Sequence, residues 1–158
     1  MSAGWRVRVI KPPSAIDPGA RRSVFLAGSI EMGLAVDWQE AVTTGLGDLD
    51  LVVLNPRRDD WDSSWRQSIE DARFREQVEW EISAQQRADL IVLYFAPETK
   101  APITLLELGL FAASGKQVVC CPDGYWRKGN VEVVCARYNI PMVATLEELI
   151  AETRSRLA

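Results

Sequence analysis

The chain has 158 residues, 47% of them hydrophobic, and a formal net charge of −4, which suits one compact domain with its own core. Acidic and basic residues are mixed along its whole length, which argues against a surface built for nucleic-acid polymers or anionic membranes and leaves a small molecule as the expected partner. No segment approaches the roughly 20 apolar residues of a spanning helix, and Met1 to Ile10 lack the apolar run of a signal peptide, so a soluble, cytoplasmic protein is expected.

In chain order, Trp5 to Ile10 alternates and reads either as an extra edge strand or as an arm onto a partner subunit. Lys11 to Arg22, with three prolines and a glycine, reads as a loop. Four short apolar runs follow, Val24 to Ala27, Leu51 to Leu54, Leu90 to Tyr94 and Val118 to Cys121. Their apolar character is continuous rather than alternating, which predicts strands covered on both faces of a parallel sheet. Helical patterning is found in Asp37 to Thr44, Ser68 to Arg87, Thr104 to Ser114 and Asn130 to Arg137. Pro141 to Val143 offers a weak fifth strand, and Thr145 before Glu147 and Glu148 reads as the N-cap of a last helix. Repetition of β and α predicts a single doubly wound α/β domain of the flavodoxin-like or Rossmann-like kind, with a parallel sheet of roughly five strands.

The chain has no histidine, so imidazole triads and the usual zinc sites lose their commonest component and acid–base chemistry falls to carboxylates. Cys120, Cys121 and Cys135 have neither disulfide-framework nor metal-knuckle spacing and are expected as buried free thiols. Gly28-Ser29 after the first run lacks the dinucleotide fingerprint and the P-loop ending. Neither NAD nor ATP is therefore expected, nor any metal or redox cofactor. Gly28-Ser29 is open to two readings, a ligand-approaching backbone or a tight turn.

The loop Asn55 to Trp65, with Arg57 and Arg58, lies at the carboxyl end of a strand, where open α/β sheets bind ligands, and is a candidate substrate wall. Glu107 interrupts an otherwise apolar helix, Ile103 to Ala112. It either reaches water at the edge of the buried face or is a buried carboxylate with a task. Gly109 in the same helix makes sense if the helix packs closely on a strand or ligand. Asp89 either closes the turn before its strand or takes part in chemistry, and Glu81 on the preceding helix reads first as an exposed glutamate.

Taken together, Phe25-Leu26-Ala27-Gly28-Ser29-Ile30, Asn55-Pro56-Arg57-Arg58, Ala88-Asp89-Leu90-Ile91 and Leu106-Glu107-Leu108-Gly109 resemble the nucleoside 2-deoxyribosyltransferase superfamily. The resemblance is strongest to the branch that also carries the Phe74-to-Glu81 helix and the Pro102-to-Glu107 segment, and it runs from about Val24 to Glu148. Residues 1–22 then form an arm or extra edge strand with its loop, ahead of a deoxyribosyltransferase-like α/β domain over 23–158. The resemblance implies Glu107 as nucleophile on C1′ of a nucleoside and Asp89 as proton donor to the leaving base and acceptor from the incoming one. It implies a substrate-binding set of Gly28, Ser29, Asn55, Arg57, Arg58, Glu81, Thr104 and Asn130. Asn130 resembles a residue extended into a neighbouring subunit's site, which implies a homo-oligomer with shared sites. The sequence departs from the pattern at Phe25, where a tyrosine is common, and at Ala101, near which a further carboxylate is common. Two alternatives remain open: a nucleoside or nucleoside 5′-monophosphate hydrolase, with Arg57, Arg58, Arg127 and Lys128 as phosphate donors, and a non-catalytic nucleoside-binding module.

Overall fold

Strands that are apolar on every residue need cover on both sides, and the chain provides it with helices between successive strands. The computed structural model describes residues 4–29, 37–58 and 64–158. In order these form β1 (Arg8–Ile10), β2 (Arg22–Gly28), α1 (Trp38–Gly45), β3 (Leu51–Leu54), α2 (Ala72–Arg87), β4 (Leu90–Tyr94) and α3 (Pro102–Phe111), followed by a short 3-10 turn. β5 (Gln117–Cys120), α4 (Lys128–Tyr138), β6 (Met142–Val143) and α5 (Leu146–Leu157) complete the chain. Among the described residues, no helix is long and apolar enough to cross a membrane.

All strands are parallel, in the order β1-β3-β2-β4-β5-β6. The sheet thus has six strands rather than about five. The addition is β1, whose Arg8, Val9 and Ile10 pair with Val52, Val53 and Leu54. Alternation in this segment has a physical cause at the sheet margin, where Arg8 and Val9 are exposed and Ile10 is buried.

Two cores follow from the two-residue period of the strands. On one face Phe25, Ile91, Leu93 and Val119 pack with Trp80, Ala84, Leu108, Val131 and Cys135 from α2, α3 and α4. On the other, Val24, Leu26, Val53 and Val92 pack with Trp38, Val42 and Leu149 from α1 and α5. The three cysteines are buried free thiols, as their spacing predicts.

Local signals set the helix ends. Asp71 caps α2 by accepting the Arg73 and Phe74 amides, so the helix starts four residues later than its pattern suggests at Ser68. Thr145 accepts the Glu148 amide while its hydroxyl meets the Glu148 carboxylate, a reciprocal cap on α5. Pro102 opens α3 directly after Ala101, whose φ of 46° is left-handed.

The chain leaves β2 towards β3 on one side and later returns to β4 on the other, so order reverses between β2 and β4. In open α/β sheets the crevice outside the carboxyl ends of such neighbouring strands is the usual ligand site.

Candidate active site

At the reversal, β2 ends in Gly28-Ser29 and β4 runs on into Phe95 and Ala96. Ser29 is buried and joins the two strand ends: its amide donates to the Tyr94 carbonyl at 3.2 Å and its hydroxyl accepts from the Ala96 amide at 3.1 Å. The Thr99 hydroxyl adds a 2.7 Å bond to the Ser29 hydroxyl. Gly28 answers to packing. A Cβ there would lie 2.3 Å from a ring carbon of Trp38 and 2.7 Å from the Tyr94 carbonyl oxygen. Trp38 is fully buried and anchored by its indole N–H on the Ser29 carbonyl at 3.1 Å. Ile30 lies outside the described residues.

Glu107 is buried on the inner side of α3, one turn after the equally buried Thr104. Of the two readings open for this carboxylate, the structure selects the buried one. α2 supplies its surroundings through a stripe spaced by four residues, Gln77, Glu81 and Gln85. The Gln85 amide donates to Glu107 Oε2 at 2.6 Å and to the Glu81 carbonyl at 3.1 Å. Gln77 repeats the arrangement one turn away from Glu81, donating to the Pro56 carbonyl at 3.0 Å and to Glu81 Oε2 at 3.3 Å.

Burial pushes the Glu107 carboxyl up to about 8, and the negative charge of Glu81 adds to that rise, against the Gln85 hydrogen bond. Glu81 is pushed up to about 7, chiefly by burial, with the Gln77 bond opposing. Glu81 is therefore not the exposed helix glutamate that its surroundings in sequence suggest. Two coupled carboxyls with raised values favour a pair that holds one proton near neutrality.

Asp89 occupies another place. It is exposed at the amino end of β4, and its carboxylate accepts the Ser23 amide at 2.8 Å while its own amide donates to the Ser23 carbonyl at 3.0 Å. This is the turn-closing role, at the end of the strand away from the reversal crevice. The carboxylate that acts on Glu107 is Glu81, not Asp89.

Along the loop after β3, Asn55 is buried and its side-chain oxygen accepts the Arg57 amide at 2.9 Å. Arg57 extends to Asp37 at 3.3 Å with both side chains about half exposed. Arg58 is more enclosed, 3.4 Å from Glu76 and with its guanidinium 4.8 Å from the centre of the Trp65 ring. Residues 59–63 of this loop lie outside the described residues. Asn130 is exposed on α4, at a groove of ≈ 470 Å³ between α3 and α4 that Pro102, Leu105 and Trp126 also line. Arg127 stacks on Trp126 at 4.4 Å and Lys128 binds Asp123 at 2.6 Å. Gly109 is exposed, and a Cβ added there would meet nothing within 4 Å, so close packing inside this chain is not its reason.

Residue reasoning missed Gln77 and Gln85. Their signal was available as polar side chains repeating every four residues beside Trp80 and Ala84, on the inward side of α2. Among the described residues no group of three His, Cys, Asp or Glu side chains converges to hold a metal ion.

Residues 21–125 match a protein family described as nucleoside 2-deoxyribosyltransferase like. Among solved structures, a conserved protein from Enterococcus faecalis V583 matches with a TM-score of 0.63 at 15% identity, over 87% of this chain and 100% of that one. This is a likeness of fold. No curated protein matches the chain in sequence.

Proposed function

The chain belongs to the nucleoside 2-deoxyribosyltransferase-like family, and from that premise we propose that it transfers 2-deoxyribose between nucleobases, with Glu107 as nucleophile and Glu81 as the proton-transfer group. The observation that carries this reading is the carboxylate pair itself, with Glu107 buried and Glu81 half-buried. One carboxylate is held by a donated hydrogen bond and a second, on the preceding helix, has its value raised to about 7. With values of about 8 for Glu107 and about 7 for Glu81 the pair keeps a proton near neutrality, and the reactive form is the minority state in which that proton sits on Glu81 and the charge on Glu107.

The ionised Glu107 attacks C1′ of the deoxyribose as the C1′–N bond breaks. Protonated Glu81 gives its proton to the departing base nitrogen. The sugar is then an ester of Glu107, formed with inversion through an oxocarbenium-like transition state. A second base attacks C1′ and passes its proton to Glu81, Glu107 leaves as carboxylate, and the second inversion restores the starting stereochemistry. Thr104, Ser29 and Asn55 lie on the elements around this centre and are assigned to the substrate, with Arg57 and Arg58 at the outer part of the β3 loop.

The reading includes a homo-oligomer. α3 exposes Ile103, Leu106 and Leu110 at 58%, 63% and 55%, and Pro102, Leu105 and Gly109 of the same helix line the groove that holds Asn130. A second copy covering this face would bring Asn130 towards the neighbouring site, and light scattering at several concentrations tests it.

For the activity, purified protein is incubated with 2′-deoxyinosine or thymidine, with and without adenine or cytosine, and nucleosides and free bases are separated by chromatography. New deoxynucleoside that requires both the acceptor and Glu107, tested with Glu107→Ala, supports transfer. Free base released without transfer indicates hydrolysis, and absence of both products across nucleosides and 5′-monophosphates overturns the enzymatic reading.

A further inference from the structure

Gln85 is fully buried, and its amide nitrogen faces two acceptors, the Glu81 carbonyl at 3.1 Å and Glu107 Oε2 at 2.6 Å. The first of these fixes which way the amide lies. Turned over, its oxygen would face the backbone carbonyl of Glu81, so Gln85 can only donate to Glu107. In return its own oxygen is buried without a partner among the described residues. A leucine or methionine would fill the same space without that unpaired oxygen, so fold stability alone does not account for a glutamine here.

The backbones on both sides are pinned. Lys116 Nζ donates to the carbonyls of Gln85, Gln86 and Ala88 at 2.8, 3.0 and 2.9 Å, which holds the end of α2. The Gln117 amide donates to the Glu107 and Leu108 carbonyls at 3.2 and 3.3 Å, which holds α3. Phe25, buried in the same core, offers no donor. Of the ionisable groups on these elements, Glu81 acts on Glu107, Lys116 is turned to the α2 carbonyls, and Asp89 is turned to the Ser23 amide.

We propose that Gln85 is the positioning residue for Glu107: oriented by the Glu81 carbonyl, its amide holds one carboxylate oxygen and leaves the other oxygen as the attacking atom. Gln77 does the corresponding work for Glu81 through a longer bond. The inference rests on the reading of Glu107 as the reactive group, but not on which acceptor takes the sugar.

Its test does not need turnover. Glutamate labelled with ¹³C at the carboxyl carbon is incorporated into wild type, Gln85→Met and Gln77→Met, with Glu107→Gln and Glu81→Gln used to assign the two resonances, and carboxyl shifts are followed with pH. In Gln85→Met the Glu107 midpoint is expected to rise by about one pH unit, the loss of roughly a tenfold preference for the charged form. The Glu81 midpoint falls at the same time, because its neighbour is less often charged. Gln77→Met gives the opposite pair of shifts. A merely loosened core would admit water and lower both midpoints together.

An unchanged or lowered Glu107 midpoint in Gln85→Met overturns the proposal. Gln85→Leu is carried in parallel, and failure of both variants to fold assigns Gln85 to the fold and also overturns it. If wild type transfers deoxyribose, Gln85→Met should lose about tenfold in kcat near pH 7 with KM within about twofold, the deficit shrinking as pH rises past the new midpoint. Opposed midpoint shifts in a protein without turnover would retain the positioning role and remove the proposed reaction.

Discussion

Replacing Glu107 by glutamine should make the protein more stable as it abolishes the proposed chemistry, and the gain should depend on pH. The usual glutamate value is 4.5 and burial in the fold raises it to about 8. A carboxyl raised on folding is harmless below its unfolded value and costs stability as pH climbs from the unfolded value to the folded one. With these two values the cost is about 1 kcal/mol at pH 5 and about 3 kcal/mol at pH 7, levelling off above pH 8. Glu107→Gln removes the cost and keeps an acceptor for the Gln85 amide, since the new side chain has a carbonyl oxygen in a similar place. It also removes the repulsion that Glu81 feels. Urea unfolding followed by tryptophan fluorescence at pH 5, 6, 7 and 8 measures the difference, which should widen by about 2 kcal/mol between pH 5 and pH 7. Melting temperatures should separate by roughly 2–4 °C per kcal/mol for a domain of this size. Parallel stability curves for wild type and variant, or a variant less stable at pH 8, would refute the reasoning and return Glu107 to the class of solvated glutamates.

One substitution type should act with opposite signs at two glycines. Gly28→Ala drives a methyl into the Trp38 ring and the Tyr94 carbonyl and should cost about 1–3 kcal/mol in urea unfolding, whereas Gly109→Ala meets open space in a helix and should gain up to about 1 kcal/mol. A Gly109→Ala protein that is destabilised only at concentrations where the wild type self-associates would place a second copy against α3. Glu81→Gln should lower kcat by about 10²- to 10⁴-fold while Asp89→Asn stays within a few-fold of wild type; equal losses in the two would remove Glu81 from the proton-transfer role. Thr145→Ala deletes the α5 cap and should cost about 1 kcal/mol by thermal unfolding, with no effect on the carboxyl titrations.

The sequence by itself determined the layering. Val24 to Ala27, Leu51 to Leu54 and Leu90 to Tyr94 are apolar on every residue, short runs separated by helical patterning that a sheet covered on both faces buries, so class and strand positions were legible along the chain. Glu107 was legible for the same reason, as a charge inside an apolar helix. Asp89 and Glu81 were not separable in this way, because each is an ordinary polar residue within its own segment. Only the packing of α2 and α3 on one face of the sheet decided that the charge of Glu81 acts on Glu107 and that Asp89 faces Ser23. The same holds for Gln85, whose bond to Glu107 spans 22 residues, and for Gly28, where Trp38 and the Tyr94 carbonyl leave no room for a side chain. Periodicity reports which face of an element is buried, a property of neighbours a few residues away. Which buried groups touch is set by how separate elements cross, and that is a property of the packed structure alone.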